Sequence, residues 1–188
     1  MEKGYLTIGF SDFTTKEMVD KVLANDWNYF NAQFQKMWGR VPRTRLNLWN
    51  FLKFEKGDII IVPSWGIFFV CEITDERPML IGETYSEGLK SWGNKNVSTN
   101  GTYLLNENSK EYDLGFARKV NVIYKNVSKE KFADAALTSR MKIRQTNAQI
   151  NDLKNSVEKS IENYKANKPI HLHSIVIEKN RLYCIRIN

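Results

Sequence analysis

A chain of 188 residues, 42% hydrophobic and 12% aromatic, is long enough to bury a core and too apolar to be disordered. Its formal charge of +7 permits a polyanionic partner without requiring one. The two cysteines, Cys71 and Cys184, stand in apolar strand-like runs without metal-type spacing and read as reduced core residues of a cytoplasmic protein; no apolar run nears the roughly 20 residues of a membrane span, and no signal-peptide pattern opens the chain.

Residues 5–10 (YLTIGF) read as a first strand ended by Ser11-Asp12-Phe13. Thr14 with Glu17 has capping-box spacing, and Met18, Val19, Val22, Leu23, Trp27, Phe30, Phe34 and Met37 recur at helical spacing, predicting one helix to about residue 37. Residues 38–72 (WGRVPRTRLNLWNFLKFEKGDIIIVPSWGIFFVCE) open with an aromatic among arginines. They continue as a short helix, about 45–54, with Leu48, Phe51 and Leu52 toward a sheet. The stretch turns at Lys56-Gly57-Asp58 and ends in two apolar runs, 59–62 and 67–73, around Pro63-Ser64-Trp65-Gly66. Near-continuous apolarity predicts a hairpin at the centre of the sheet, buried on both faces.

Residues 75–108 are rich in Gly, Asn, Ser and Thr and predict a long polar loop, a frequent place for binding residues; it carries Leu89 and Trp92. A strand over 114–124 (LGFARKVNVIY) brings Arg118 and Lys119; a short helix over 128–137 and a basic connector over 139–144 (SRMKIR) follow. Thr146 with Gln149 opens a helix whose stripe of Ile150, Leu153, Val157, Ile161 and Tyr164 runs to about residue 165, before Pro169. Residues 174–177 and 181–187 form a terminal hairpin. Residues 1–145 are expected to be one domain, and 146–188 a packed extension or connector.

Catalytic patterns are sparse. Asp58 and, across the hairpin, Glu72 imitate the metal-holding acids of PD-(D/E)xK nucleases, but Thr74 stands where the lysine belongs and Gly57 replaces the proline. Asp58 is better read as a turn residue and Glu72 as a strand-end charge. His171 and His173 have H-x-H spacing with nothing pointing to further zinc ligands, so they read as a surface pair. The chain has no Gly-rich phosphate loop and no nucleophile in a recognisable setting. No catalytic residue, metal or cofactor is expected.

The order of elements from residue 5 to 140 resembles the PUA-like superfamily, specifically EVE and YTH domains and the EVE-like specificity modules of Mrr- and McrB-type restriction systems. Trp38, Pro42 and Leu46-Asn47-Leu48 follow the YTH order, though the Leu-Asn-Leu comes earlier here, and Leu114-Gly115-Phe116-Ala117-Arg118-Lys119 is similar to its later strand. The resemblance implies an α+β fold with a curved, barrel-like mixed sheet and flanking helices, to which the residues themselves add a C-terminal helix and hairpin, and it implies that cleavage would come from a nuclease or NTPase partner or further domain. It implies a cage in which Trp38 and Trp92 sandwich a flipped, methylated base in double-stranded DNA, with Ser11 and Asp12 addressing its polar edge and Leu89, Phe10 or Trp49 as a third wall. Extruding a base costs a few kcal/mol, and aromatic stacking returns roughly 1–3 kcal/mol per base. Arg40, Arg43, Arg45, Arg118, Lys119, Arg140, Lys142 and Arg144 are the candidate phosphate contacts, and Trp65 at the hairpin tip a candidate wedge. The same fold reading modified RNA, a nuclease using Asp58 and Glu72, and an assembly protein with exposed aromatics are the alternatives.

Overall fold

In the computed structural model, which describes residues 4–91, 93–142, 148–170, 173–178 and 181–186, strand β1 (Tyr5–Ile8) ends sooner than the sequence suggests. Phe10 takes a left-handed backbone, φ 67°, and Ser11–Phe13 make one 3₁₀ turn. The cap of α1 (Lys16–Leu23) is Thr15, whose hydroxyl accepts from Met18 N–H at 3.0 Å, and not Thr14. Thr14 Oγ1 instead donates to Ser11 O at 2.8 Å, holding the turn against the helix start.

The single long helix expected here is two, α1 and α2 (Trp27–Trp38). Asn25 adopts φ 59°, and Asp26 then caps α2 by accepting from Tyr29 N–H at 2.9 Å. That hydrogen bond, and after it Lys21, hold the Asp26 carboxyl below its ordinary range. The apolar periodicity runs through the break, which is why spacing alone misses it. Helix α3 (Arg45–Leu52) buries Leu48, Phe51 and Leu52 as its spacing predicts.

Strands β2 (Ile59–Pro63) and β3 (Ile67–Ile73) form the expected hairpin. After it, the stretch expected to be a polar loop contains β4 (Met79–Leu80), a 3₁₀ turn over Ile81–Thr84, and β5 (Ser98–Thr99) paired with β6 (Leu104–Leu105). Its apolar residues Ile81, Val97 and Leu104 are buried with Ala117, which gives the stretch a core of its own. Strand β7 (Phe116–Ser128) starts and ends later than predicted.

The strand order is β1-β7-β3-β2, with β4 also beside β7. The sheet was expected to be mixed, but β7 pairs antiparallel with both β1 and β4, and the short turn between β2 and β3 makes that pair antiparallel too. The hairpin is not central as a whole. Strands β3 and β7 are interior and β2 is an edge, where Ile59 is half exposed. Apolar content alone does not separate an edge strand from a central one.

The chain divides into two compact units, residues 1–60 with 71–122 and residues 61–70 with 123–188, and not at residue 145. In the first unit Phe13, Met18, Val22, Phe30, Phe34, Leu48, Leu52 and Phe116 share one core. Each fully buried Phe contributes about 1.5–3 kcal/mol. In the second unit the segment expected as one helix is two, α4 (Lys129–Phe132) and α5 (Ala135–Arg140), because Asp134 interrupts it and caps α5 through Leu137 N–H at 2.8 Å. A 3₁₀ turn over Asn151–Leu153 leads into α6 (Lys154–Lys165). Its stripe of Leu153, Val157, Ile161 and Tyr164, with Ile150, packs on Phe68, Val70, Val127, Phe132 and Leu137. The proposed cap Thr146 lies outside the described residues. Strands β8 (His173–Glu178) and β9 (Arg181–Arg186) pair antiparallel as the terminal hairpin. Among the described residues no helix is long and apolar enough to cross a membrane.

Candidate base-binding site

Helix α2 ends on Trp38 because Gly39 takes φ 64° and returns its N–H to Gln35 O at 3.0 Å. The indole leaves the helix end with 37% of the residue exposed. Phe10 stacks on it at 5.9 Å between centroids and 22° between planes, while Phe13 and Phe34 meet it edgewise at 5.1 Å each. A base lying between two rings needs about 7 Å of separation. Phe10 therefore backs Trp38 and is not a wall across a slot from it.

The turn that supplies Phe10, Ser11 and Asp12 lies directly on the approach to β7. A side chain at Gly115 would place its Cβ 2.8 Å from Gly9 O, 2.9 Å from Phe10 O and 2.9 Å from Thr14 Oγ1. Backbone atoms cannot yield as a flexible side chain can. Gly115→Ala is expected to destabilise the fold by about 1–3 kcal/mol, read as a lower urea midpoint. It should also displace Phe10 and Asp12 from Trp38, read as a shift in indole fluorescence.

The polar rim is acidic. Trp38 Nε1 donates to Asp12 Oδ2 at 2.7 Å, which fixes the ring's rotation and leaves the carboxylate further acceptor capacity. Ser11 donates to Asp113 Oδ1 through its hydroxyl at 3.0 Å and its N–H at 3.4 Å, so its hydroxyl proton is already engaged. Tyr103 joins this group. Burial first, then the nearby carboxylates of Glu111 and Asp12, push its phenol pKa up, against a hydrogen bond with Thr14 that pulls it down. Asp113, Glu111 and Tyr103 were not among the expected site residues. Ser11 and Asp113 are 102 positions apart, and only the β1–β7 pairing brings them together.

No protein-family model matches the chain, and no curated protein and no solved structure matches it.

Several expected site residues stand elsewhere. Trp92 and Arg144 lie outside the described residues. Trp49 packs against Trp27 at 4.6 Å and Phe30 at 5.0 Å, so it belongs to the helical core. Leu89 packs with the Ile81 cluster for the same reason, burial of an apolar side chain. Arg118 is completely buried: Nε donates to Asp75 Oδ1 at 2.9 Å, and its other nitrogens to the carbonyls of Asp75 and Phe54, so no phosphate can reach it. Arg45 is engaged by Asn31 at 2.7 Å and Pro42 O at 2.9 Å over the Trp27 ring, and Arg140 by Asp152 at 2.7 Å. Arg40, Arg43, Lys119 and Lys142 remain exposed. Arg40 and Arg43 follow Trp38 directly in the chain.

In the second unit Trp65 is 98% exposed on a pinned turn: Lys129 donates to Ser64 O at 2.6 Å from its ammonium and to Gly66 O at 3.0 Å from its N–H. Asp58 behaves as a turn residue, its carboxylate accepting from Glu55 N–H at 2.8 Å. Glu72 is half-buried on β3. Among the described residues no group of three or more His, Cys, Asp and Glu could hold a metal.

Proposed function

We propose that this chain is a non-catalytic module that binds nucleic acid, double-stranded DNA first, by taking a modified base onto Trp38. In this reading it is a PUA-like reader of the EVE and YTH kind, serving as the specificity part of a modification-dependent restriction or related defence system. One observation carries the reading: an indole more than one third exposed, its rotation set by Asp12 at 2.7 Å and its position by three phenylalanines. A stacking platform acts only if it is held still before the base arrives. Asp12 accepts from an exocyclic amino group, which adenine and cytosine possess. Arg40 and Arg43, exposed beside Trp38 in the chain, supply backbone affinity that falls with salt.

The test is binding to matched duplexes carrying cytosine, 5-methylcytosine, adenine or N6-methyladenine at two salt concentrations. Tighter binding of one modified duplex is the expected result. Equal binding of all, or none, removes the reading.

Trp65 makes a separate prediction. With 98% of its surface in water, Trp65→Ala should leave unfolding stability within about 0.5 kcal/mol of the parent. If the indole wedges into a base step, duplex affinity falls severalfold while single-strand affinity holds. An equal fall for both would mean that it stacks on bases instead.

A further inference from the structure

The rim of the Trp38 site carries negative charge without neutralisation. Asp12 touches the indole, and Asp113 holds the same turn through Ser11. Elsewhere carboxylates such as Asp20, Asp26 and Asp75 have cationic partners, with Arg77, Lys21 and Arg118. Among the described residues neither Asp12 nor Asp113 forms a salt bridge. In a chain of net charge +7 that receives a polyanion, carboxylates at the point of contact repel phosphate. They favour a ligand whose inserted part is positive.

An exposed indole has the matching preference, because the electron-rich face of the ring attracts a cation more strongly than a neutral ring. The two features act on the same inserted group.

Building on the base-binding reading above, we propose that the base preferred at Trp38 is a cationic one, alkylated on a ring nitrogen, in preference to its neutral methylated isomer. N3-methylcytosine and 5-methylcytosine have the same heavy atoms and both keep the exocyclic amino group. They differ in charge at neutral pH. N1-methyladenine and N6-methyladenine form a second such pair.

The experiment is fluorescence-anisotropy titration of the full chain with matched single-stranded DNA oligonucleotides, each holding one of these four bases or an unmodified one. Single strands are used because methylation at the pairing nitrogen blocks Watson–Crick pairing. The expected result is about tenfold tighter binding of the cationic isomer in each pair. Asp12→Asn, exposed and conservative, should move that ratio toward one. Equal or tighter binding of the neutral isomers, abolished by Trp38→Ala, would overturn the charge preference and leave base binding intact. If no oligonucleotide binds in a Trp38-dependent way while a modified duplex does, this inference falls and the base-binding reading stands; if neither binds, both fall.

Discussion

Trp38→Ala is expected to weaken binding of the preferred modified strand by roughly 5-fold to 150-fold, the equivalent of losing one stacked base at 1–3 kcal/mol. The salt dependence should persist with an unchanged slope, because the slope counts phosphate contacts and Trp38 makes none. Trp38 also packs on Phe10, Phe13 and Phe34, so the substitution removes packing as well as a platform. A stability loss of about 2 kcal/mol is expected from that packing, less than for a fully buried Trp because the ring is 37% exposed. Urea unfolding of the same variant separates the two effects. Trp38→Phe, which keeps a flat ring but not the N–H that reaches Asp12, should retain part of the stacking and lose the fixed rotation. A variant that folds and binds modified and unmodified strands as the parent does would remove Trp38 from the site.

Asp75→Ala is expected to have the largest effect on stability, about 3–5 kcal/mol, because it leaves a buried guanidinium with carbonyl partners alone. Arg118 is fully buried and gives its Nε–H to Asp75, while Asp75 also accepts from Lys119 N–H at 2.9 Å. The partners are not equivalent. In the reverse substitution, Arg118→Met, the orphaned Asp75 side chain keeps 11% exposure and its Lys119 hydrogen bond, and water can reach it. Arg118→Met should therefore cost less, about 1–3 kcal/mol. Urea midpoints of the two single variants decide the order. Equal losses, or a larger loss for Arg118→Met, would show that the guanidinium's hydrogen bonds to the Asp75 and Phe54 carbonyls matter as much as its pairing with the Asp75 carboxylate.

The same residue shows where sequence reasoning stops. Arg118 stands in a strand with Lys119, and alternation places one of the two on each face. Which face is covered depends on what packs there. The segment after β3 puts Asp75 against Arg118 and leaves the Lys119 side chain in solvent, so one of two adjacent basic residues becomes an internal strut and the other stays available for binding. Arg45 differs from Arg43 in the same way: two positions apart, one lies over Trp27 and bonds to Asn31, the other is exposed.

The sequence by itself determined what depends on near neighbours. The β2–β3 hairpin follows from two β-branched runs around Pro63-Ser64-Trp65-Gly66, the α6 stripe from 3.6-residue spacing, and the terminal hairpin from two short apolar runs. The aromatic and carboxylate types at Trp38 and Asp12 were legible, while the hydrogen bond between them is seen only in the structure. Tertiary structure decided the edge position of β2, the burial of Arg118, the packing of Trp49 and Leu89 against their clusters, and the meeting of Ser11 with Asp113, whereas the break between α1 and α2 is a local cap at Asp26 that apolar spacing alone overlooks. The physical reason is range. Periodicity, caps and turns are set within a few residues, whereas the partner of a side chain is set by strand register and by which face of an element is covered, and those depend on the whole chain.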